Sequence, residues 1–85
     1  MKIQPFHSTL QKAIDEGIRY LAERGANFNS DQLREPFTFD GVKYGQTKEA
    51  HCEIESFKGK NTHAFAHLTI WRSNSGQYEV NSYIL

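Results

Sequence analysis

The 85-residue chain has a single cysteine, no surplus of charge of either sign and no long apolar run. Because Cys52 has no partner in the chain, no intramolecular disulfide forms, whereas small secreted domains usually depend on disulfides. A reducing compartment is therefore predicted. Nothing at the N-terminus has the pattern of a signal peptide, and no apolar run approaches the roughly 20 residues that span a bilayer. We expect a soluble, cytoplasmic protein without membrane contact.

Charge balance lowers the expectation of two further classes. Ten Lys and Arg residues stand against ten Asp and Glu residues, whereas nucleic-acid binders carry a basic surplus and DNA mimics an acidic one. The chain also has no glycine-rich phosphate loop, zinc-binding pattern or serine-hydrolase motif. The sequence therefore predicts no enzyme and no cofactor.

One segment has the periodicity of an amphipathic helix. Apolar and small residues recur on one helical face: Leu10, Ala13, Ile14, Gly17, Ile18 and Leu21. Ser8 is the predicted N-cap, with Gln11 completing a capping box. Arg24 followed by Gly25 predicts the helix end. We expect a helix over residues 8–24, with Gly17 allowing its backbone to approach a sheet closely.

The remaining chain has the pattern of strands separated by turns. Asn29 to Leu33 predicts one short helical turn that Pro36 ends. Residues 37–39 and 42–44 flank Asp40 and Gly41, which is typical of a two-residue hairpin. Apolar and polar residues then alternate over 50–55, 63–71 and 78–84.

Turn chemistry predicts the strand register. A three-residue loop at 74–76 pairs Ile70 with Val80 and His67 with Tyr83. The same loop at 59–61 pairs Glu53 with His67. Both registers place the apolar side chains on one face of the sheet.

These predictions give one α+β domain over residues 1–85. It has an N-terminal arm (1–7), a helix (8–24) and an antiparallel sheet of about four strands (36–85), in the order α-β-β-β-β. The helix packs on one face of the sheet. The opposite face mixes aromatic and ionisable side chains, which is unusual for a face that only contacts solvent.

Three interpretations of this second face remain open. As a partner-binding surface, it offers Phe65, His67, Trp71, Tyr83 and Glu53, a composition typical of interaction hot spots. As a catalytic row, Glu53 orients His67 and Tyr83 donates a proton. As ordinary structure, segment 26–36 or sheet curvature covers the aromatic side chains.

A metal site is not predicted. His63 and His67 lie ~13 Å apart on a strand, too far to share an ion. A set formed by His51, Glu53 and His67 is the alternative.

A nucleic-acid-binding surface is the main competing prediction. Its candidate residues are Lys58, Lys60, Lys43 and Lys48. The glutamates on the aromatic face would repel phosphates, so this class ranks below protein binding.

The sequence thus favours a non-enzymatic protein-binding module. We extend this to an inhibitor or regulator of a larger host or bacterial protein, of the kind that phages and mobile elements encode. The only ground for this extension is that small neutral domains without catalytic motifs often have such roles. A homodimer through the exposed sheet face is the other partner that this face suits.

Overall fold

A computed structural model describes residues 6–61 and 63–85. Its strands are β1 (Phe6–His7), β2 (Ala26–Asn27), β3 (Thr47–Glu53), β4 (Ser56–Phe57), β5 (Phe65–Arg72) and β6 (Tyr78–Ile84). Its helices are α1 (Leu10–Glu23) and α2 (Asp31–Asp40). The main sheet is antiparallel with the order β1-β6-β5-β3, and β2 pairs with β4 in a small second sheet. The predicted α+β fold, an N-terminal helix on a four-stranded antiparallel sheet, is confirmed.

Helix α1 follows the predicted periodicity, but its N-cap lies one residue later than expected. The hydroxyl oxygen of Thr9, rather than that of Ser8, accepts a hydrogen bond from the Lys12 amide. The helix ends at Glu23, before Gly25. Its inner side packs on β5 and β6 so closely that a Cβ added at Gly17 would lie 2.2 Å from Leu68 Cδ1. Glycine at position 17 therefore allows the close approach of helix and sheet.

The predicted hairpin over residues 37–44 is wrong, because Asp31–Asp40 form helix α2. Leu33 and Phe37, four residues apart, are both buried beneath the helix, and this burial outweighs the strand preference of residues 37–39. Pro36 lies inside the helix and removes one amide donor without ending it. Gly41 has a positive φ of 62° and donates its amide to the Phe37 carbonyl. The glycine that suggested a hairpin turn is therefore the helix C-cap.

The β5–β6 hairpin has the predicted register. Ile70 lies opposite Val80 and His67 opposite Tyr83. The Ser73 amide donates to the Gln77 carbonyl across a three-residue loop. A short local turn thus determines this register, as expected.

The β3–β5 register differs from the prediction by two residues. His51, not Glu53, lies opposite His67, and Glu53 lies opposite Phe65. The turn is made by Lys58 and Gly59, both with positive φ, in place of the predicted three-residue loop. Beyond Ile54 the chain leaves β5, and β4 pairs with β2 instead. A shift of two residues keeps every side chain on its predicted face and changes only its neighbours.

The fourth strand of the main sheet comes from the N-terminus. Within the predicted arm 1–7, Phe6 and His7 form β1 and pair with Glu79 and Tyr78 of β6. The rest of that arm, residues 1–5, lies outside the described residues. The element order is therefore β-α-β-α-β-β-β-β rather than α-β-β-β-β.

Both helices cover the same side of the main sheet, here called the inner face. Helix α1 packs on β5 and β6, and α2 packs on β3. The buried apolar residues that the sheet and its flanking positions contribute are Ala50, Cys52, Ile54, Ala64, Ala66, Leu68, Ile70 and Val80. The core therefore lies between the helices and this face.

Candidate binding face

The opposite side of the main sheet, here called the outer face, has no helix packed on it among the described residues. Strand alternation places one residue in two on this face. Its members are Phe6, Thr47, Glu49, His51, Glu53, Phe65, His67, Thr69, Trp71, Glu79, Asn81, Tyr83 and, just past β6, Leu85. The interpretation in which segment 26–36 covers these aromatic side chains is wrong, because that segment enters α2 on the inner side.

All five residues predicted for partner binding share the outer face. Trp71 lies opposite Glu79, and Phe65 lies between Glu53 and Leu85. Trp71 is 37% exposed and Phe65 44% exposed. His67 and Tyr83 are half-buried between these two aromatic residues.

Sequence reasoning missed one aromatic member of this face. Phe6 pairs with Glu79 on β1, is 46% exposed and extends the row that contains Trp71. A two-residue strand outside the main run of alternation has too little periodicity to reveal itself. Phe6 therefore became visible only through its pairing with β6.

The centre of the outer face is a stack of three rings. The His67 and Tyr83 ring centroids lie 4.7 Å apart with an interplanar angle of 3°. His51 stacks on the other side of His67 at 5.6 Å and 28°. Phe65 then contacts His51 edge-on at 6.1 Å. The stack joins three strands into one contiguous surface.

In the predicted Glu53–His67–Tyr83 row, the pairing of His67 with Tyr83 is confirmed, but the pairing of His67 with Glu53 is wrong. The Nδ1–H of His67 donates to the Glu49 carboxylate at an Nδ1–Oε1 distance of 2.8 Å. Glu53 is instead opposite Phe65. The two-residue register difference thus substitutes Glu49 for Glu53 as the acidic neighbour of His67.

Glu49, His51 and His67 bring three metal-ligating side chains together. One donor atom from each lies within 4.8 Å of the others. Glu49 and His51 are exposed, and His67 is half-buried. The anticipated alternative set contained Glu53 in place of Glu49.

Among the described residues of the outer face, every Asp, Glu, Lys or Arg side chain is acidic. Glu49, Glu53 and Glu79 lie there, and none of the outer-face residues named above is Lys or Arg. Carboxylates interspersed with aromatic rings produce a negative potential over an apolar surface.

A shallow depression of about 280 Å³ lies beside the tryptophan. Its lining residues are Thr47, Thr69, Trp71, Glu79 and Asn81. An indole ring and a carboxylate border the same space, so a cationic side chain entering it would contact both.

The four lysines proposed for nucleic-acid binding lie in two separate places. Lys58 and Lys60 belong to the turn after β4, and the Lys58 ammonium lies 5.5 Å from the Phe57 ring centroid. Lys48 lies near the start of β3, where it pairs with Asp40 at 3.5 Å, and Lys43 is in the preceding loop. The length of β3, roughly 15–20 Å, separates the two groups. The structure does not unite them into one basic patch.

Sequence reasoning also missed an open cleft at the far end of β3. Its volume is about 450 Å³, and its lining residues are Asn29, Gln32, Glu53, Ile54, Glu55, Asn61 and His63. Six of its seven lining residues are polar, and they come from stretches of the chain that are distant in sequence. No local sequence motif predicts such a cleft.

Within the described residues, neither helix has the length and apolarity that crossing a membrane requires.

Compared with known proteins, the chain matches no family model, no curated protein sequence and no solved structure.

Proposed function

We propose that the chain is a non-enzymatic protein-binding module that docks through its outer face. The observation that carries this proposal is the exposure of Trp71, Phe65 and Phe6 on a sheet face that neither helix covers. Large aromatic side chains anchor interfaces because they bury much apolar area at low conformational cost. Polar residues between them supply the rim that excludes water from such anchors.

The charge of the face specifies the partner chemistry. Among the described residues of this face, three glutamates and no Lys or Arg are present, which favours a partner surface that carries Lys or Arg around an apolar patch. The same charge disfavours nucleic acid, whose phosphates the carboxylates repel. It also disfavours symmetric pairing of two outer faces, because glutamates of both copies would meet.

The depression beside Trp71 is the proposed binding site for one basic side chain of the partner. A Lys or Arg of the partner would lie over the indole ring and pair with the Glu79 carboxylate. A cation over an aromatic ring contributes about 0.5–2 kcal/mol, more when the pair is desolvated. Trp71 and Glu79 are therefore the two side chains whose loss we expect to weaken binding most.

Inhibition or regulation of a larger host or bacterial protein extends this proposal. A small module that occupies a basic surface of its partner blocks whatever else binds there. That extension, and an origin in a phage or mobile element, derive from the size and charge balance of the chain alone.

Capture from nuclease-treated lysate of the source cell, with matched variants, tests the proposal. We expect one dominant protein to be retained by the wild-type chain and by Phe39→Ala, which removes an 81% exposed aromatic side chain from α2. Trp71→Ala and Glu79→Gln should each weaken retention at least about tenfold, and added salt should weaken it further.

Two results would contradict the proposal. One is equal retention of the partner by Trp71→Ala and the wild type, since the indole would then lie outside the interface. The other is retention that disappears with nuclease treatment, which would favour the nucleic-acid-binding hypothesis over protein binding.

A further inference from the structure

Two imidazoles and a carboxylate converge at the centre of the outer face. His51 and His67 lie directly opposite each other on neighbouring strands, and Glu49 lies two residues before His51 on the same face. One donor atom from each of the three side chains lies within 4.8 Å of the donor atoms of the other two. We propose that Glu49, His51 and His67 bind a divalent transition-metal ion of the zinc class.

The distances suit such an ion after small side-chain rotations. Zinc bonds imidazole nitrogen and carboxylate oxygen at about 2.0–2.2 Å, so tetrahedral ligand atoms lie roughly 3.3–3.6 Å apart. The Glu49 and His67 atoms are 2.8 Å apart through their hydrogen bond. The His51 ring is stacked on His67 at 5.6 Å and has to turn out of that stack to ligate; because His51 is exposed, this rotation displaces no core residue.

The Glu49–His67 hydrogen bond already orients two of the three ligands. The ion takes the place of the hydrogen that lies between Nδ1 and the carboxylate, and neutral His67 then carries its ring proton on Nε2. Tyr83 stacks on the His67 ring at 4.7 Å and restricts how that ring tilts. This support resembles the outer contacts that position metal ligands in proteins.

The donor set determines the class of ion. Imidazole nitrogen favours zinc and its transition-metal neighbours over Mg²⁺ and Ca²⁺, which prefer all-oxygen sites. Neutral imidazole is the form of histidine that coordinates metal ions. Three protein ligands leave a fourth position open to water or to a donor atom from another molecule.

The alternative set that the sequence offered, His51, Glu53 and His67, contains both histidines of this site but a different carboxylate. Its histidines are sixteen residues apart, and only the β3–β5 register places them together with Glu49. The more obvious spacing, His63 to His67, joins a residue before β5 to one within it, and His63 is not among the three residues whose donor atoms converge.

Titration of the untagged protein with Co²⁺ tests the site, because four-coordinate Co²⁺ gives an intense visible absorption band. We expect a 1:1 endpoint and displacement of the band by stoichiometric Zn²⁺, with no displacement by millimolar Mg²⁺. His51→Ala, His67→Ala and Glu49→Gln should each weaken Zn²⁺ binding at least about tenfold in calorimetry. His63→Ala and Glu53→Gln, which alter an exposed histidine and a neighbouring glutamate outside the triad, should bind as the wild type does.

The proposal is overturned if Co²⁺ develops no band and Zn²⁺ releases no heat, since Glu49 and His67 would then form an ion pair only. Equal binding by His51→Ala and the wild type would also overturn it. Circular dichroism of each variant ensures that a loss of binding is not a loss of fold. Because these measurements need no partner, their outcome is separate from that of the capture experiment.

Discussion

The two faces of the main sheet are built from alternate residues of the same strands, and they differ in kind. The inner face presents small and aliphatic side chains such as Ala66, Leu68 and Ile70, all fully buried beneath the helices. The outer face presents rings and carboxylates between them, including His67 and Trp71. Packing against a helix constrains the size and polarity of every inner residue. The outer residues are under no such constraint, and their aromatic and acidic character is the basis of the proposed binding role.

The largest expected effect comes from a cavity at the centre of the inner face. Leu68→Ala should lower the free energy of unfolding by about 2–5 kcal/mol, because Leu68 is fully buried and its neighbours relax only partly. The total free energy of unfolding of a domain of this size is about 4–8 kcal/mol. Urea denaturation measures the loss.

Trp71→Ala is the matched control on the outer face of the same strand. We expect it to cost about 1 kcal/mol or less, mostly from the cross-strand contact with Glu79. A loss as large as that of Leu68→Ala would make Trp71 a core residue and erase the contrast between the faces.

Gly17→Ala should have a smaller effect than Leu68→Ala, arising where α1 meets the inner face. The new methyl group would lie 2.2 Å from Leu68 Cδ1 and 3.0 Å from Val80 Cγ2. Overpacking of this kind costs about 1–3 kcal/mol, whereas alanine returns at most about 1 kcal/mol of helix propensity. We therefore expect a net destabilisation of about 1–2 kcal/mol in urea denaturation.

The double variant with Leu68→Ala sharpens this prediction. Without the Leu68 side chain the 2.2 Å overlap disappears, so Gly17→Ala should become neutral or stabilising in that background. Stabilisation by Gly17→Ala in the wild-type protein would show that the helix does not approach the sheet as closely as the structure has it.

The contrast between faces was accessible from the sequence because it depends on alternation alone. The period of two assigned Phe65, His67 and Trp71 to one face whatever the register. The local turn at 74–76 then placed His67 opposite Tyr83. The same reasoning gave α1, whose face repeats over four turns.

What the sequence did not disclose depends on contacts between distant segments. The pairing of β4 with β2 changes the path of the chain after Ile54, and this moved Glu49 rather than Glu53 next to His67. Helix α2 was missed because Pro36 and the strand-forming residues around Phe37 outweighed a single buried pair spaced by four residues. Local propensity has no means of weighing such burial.

The reactivity of one thiol tests the alternation at one position of β3. Cys52 is 5% exposed on the inner face, whereas its neighbours His51 and Glu53 are exposed on the outer face. If alkylation of Cys52 requires global unfolding, iodoacetamide should react on the order of a thousandfold more slowly with the native protein than with the denatured one. Rapid labelling of the native protein would show that edge strand β3 opens locally or presents Cys52 to solvent.

The same thiol should give the protein a weak alkaline sensitivity. Burial raises the pKa of the Cys52 thiol above its ordinary value, so the native state favours the protonated form. That contribution to stability is fully present below the ordinary thiol pKa of about 8.5 and is lost as the pH rises through the native pKa. The stability difference between the wild type and Cys52→Ala should therefore be constant up to about pH 8 and shift against the wild type above it. Subtracting the two variants removes the titration of tyrosines and lysines, which both proteins share, so a flat difference across the alkaline range would mean that the thiol ionises as freely in the folded chain as in the unfolded one.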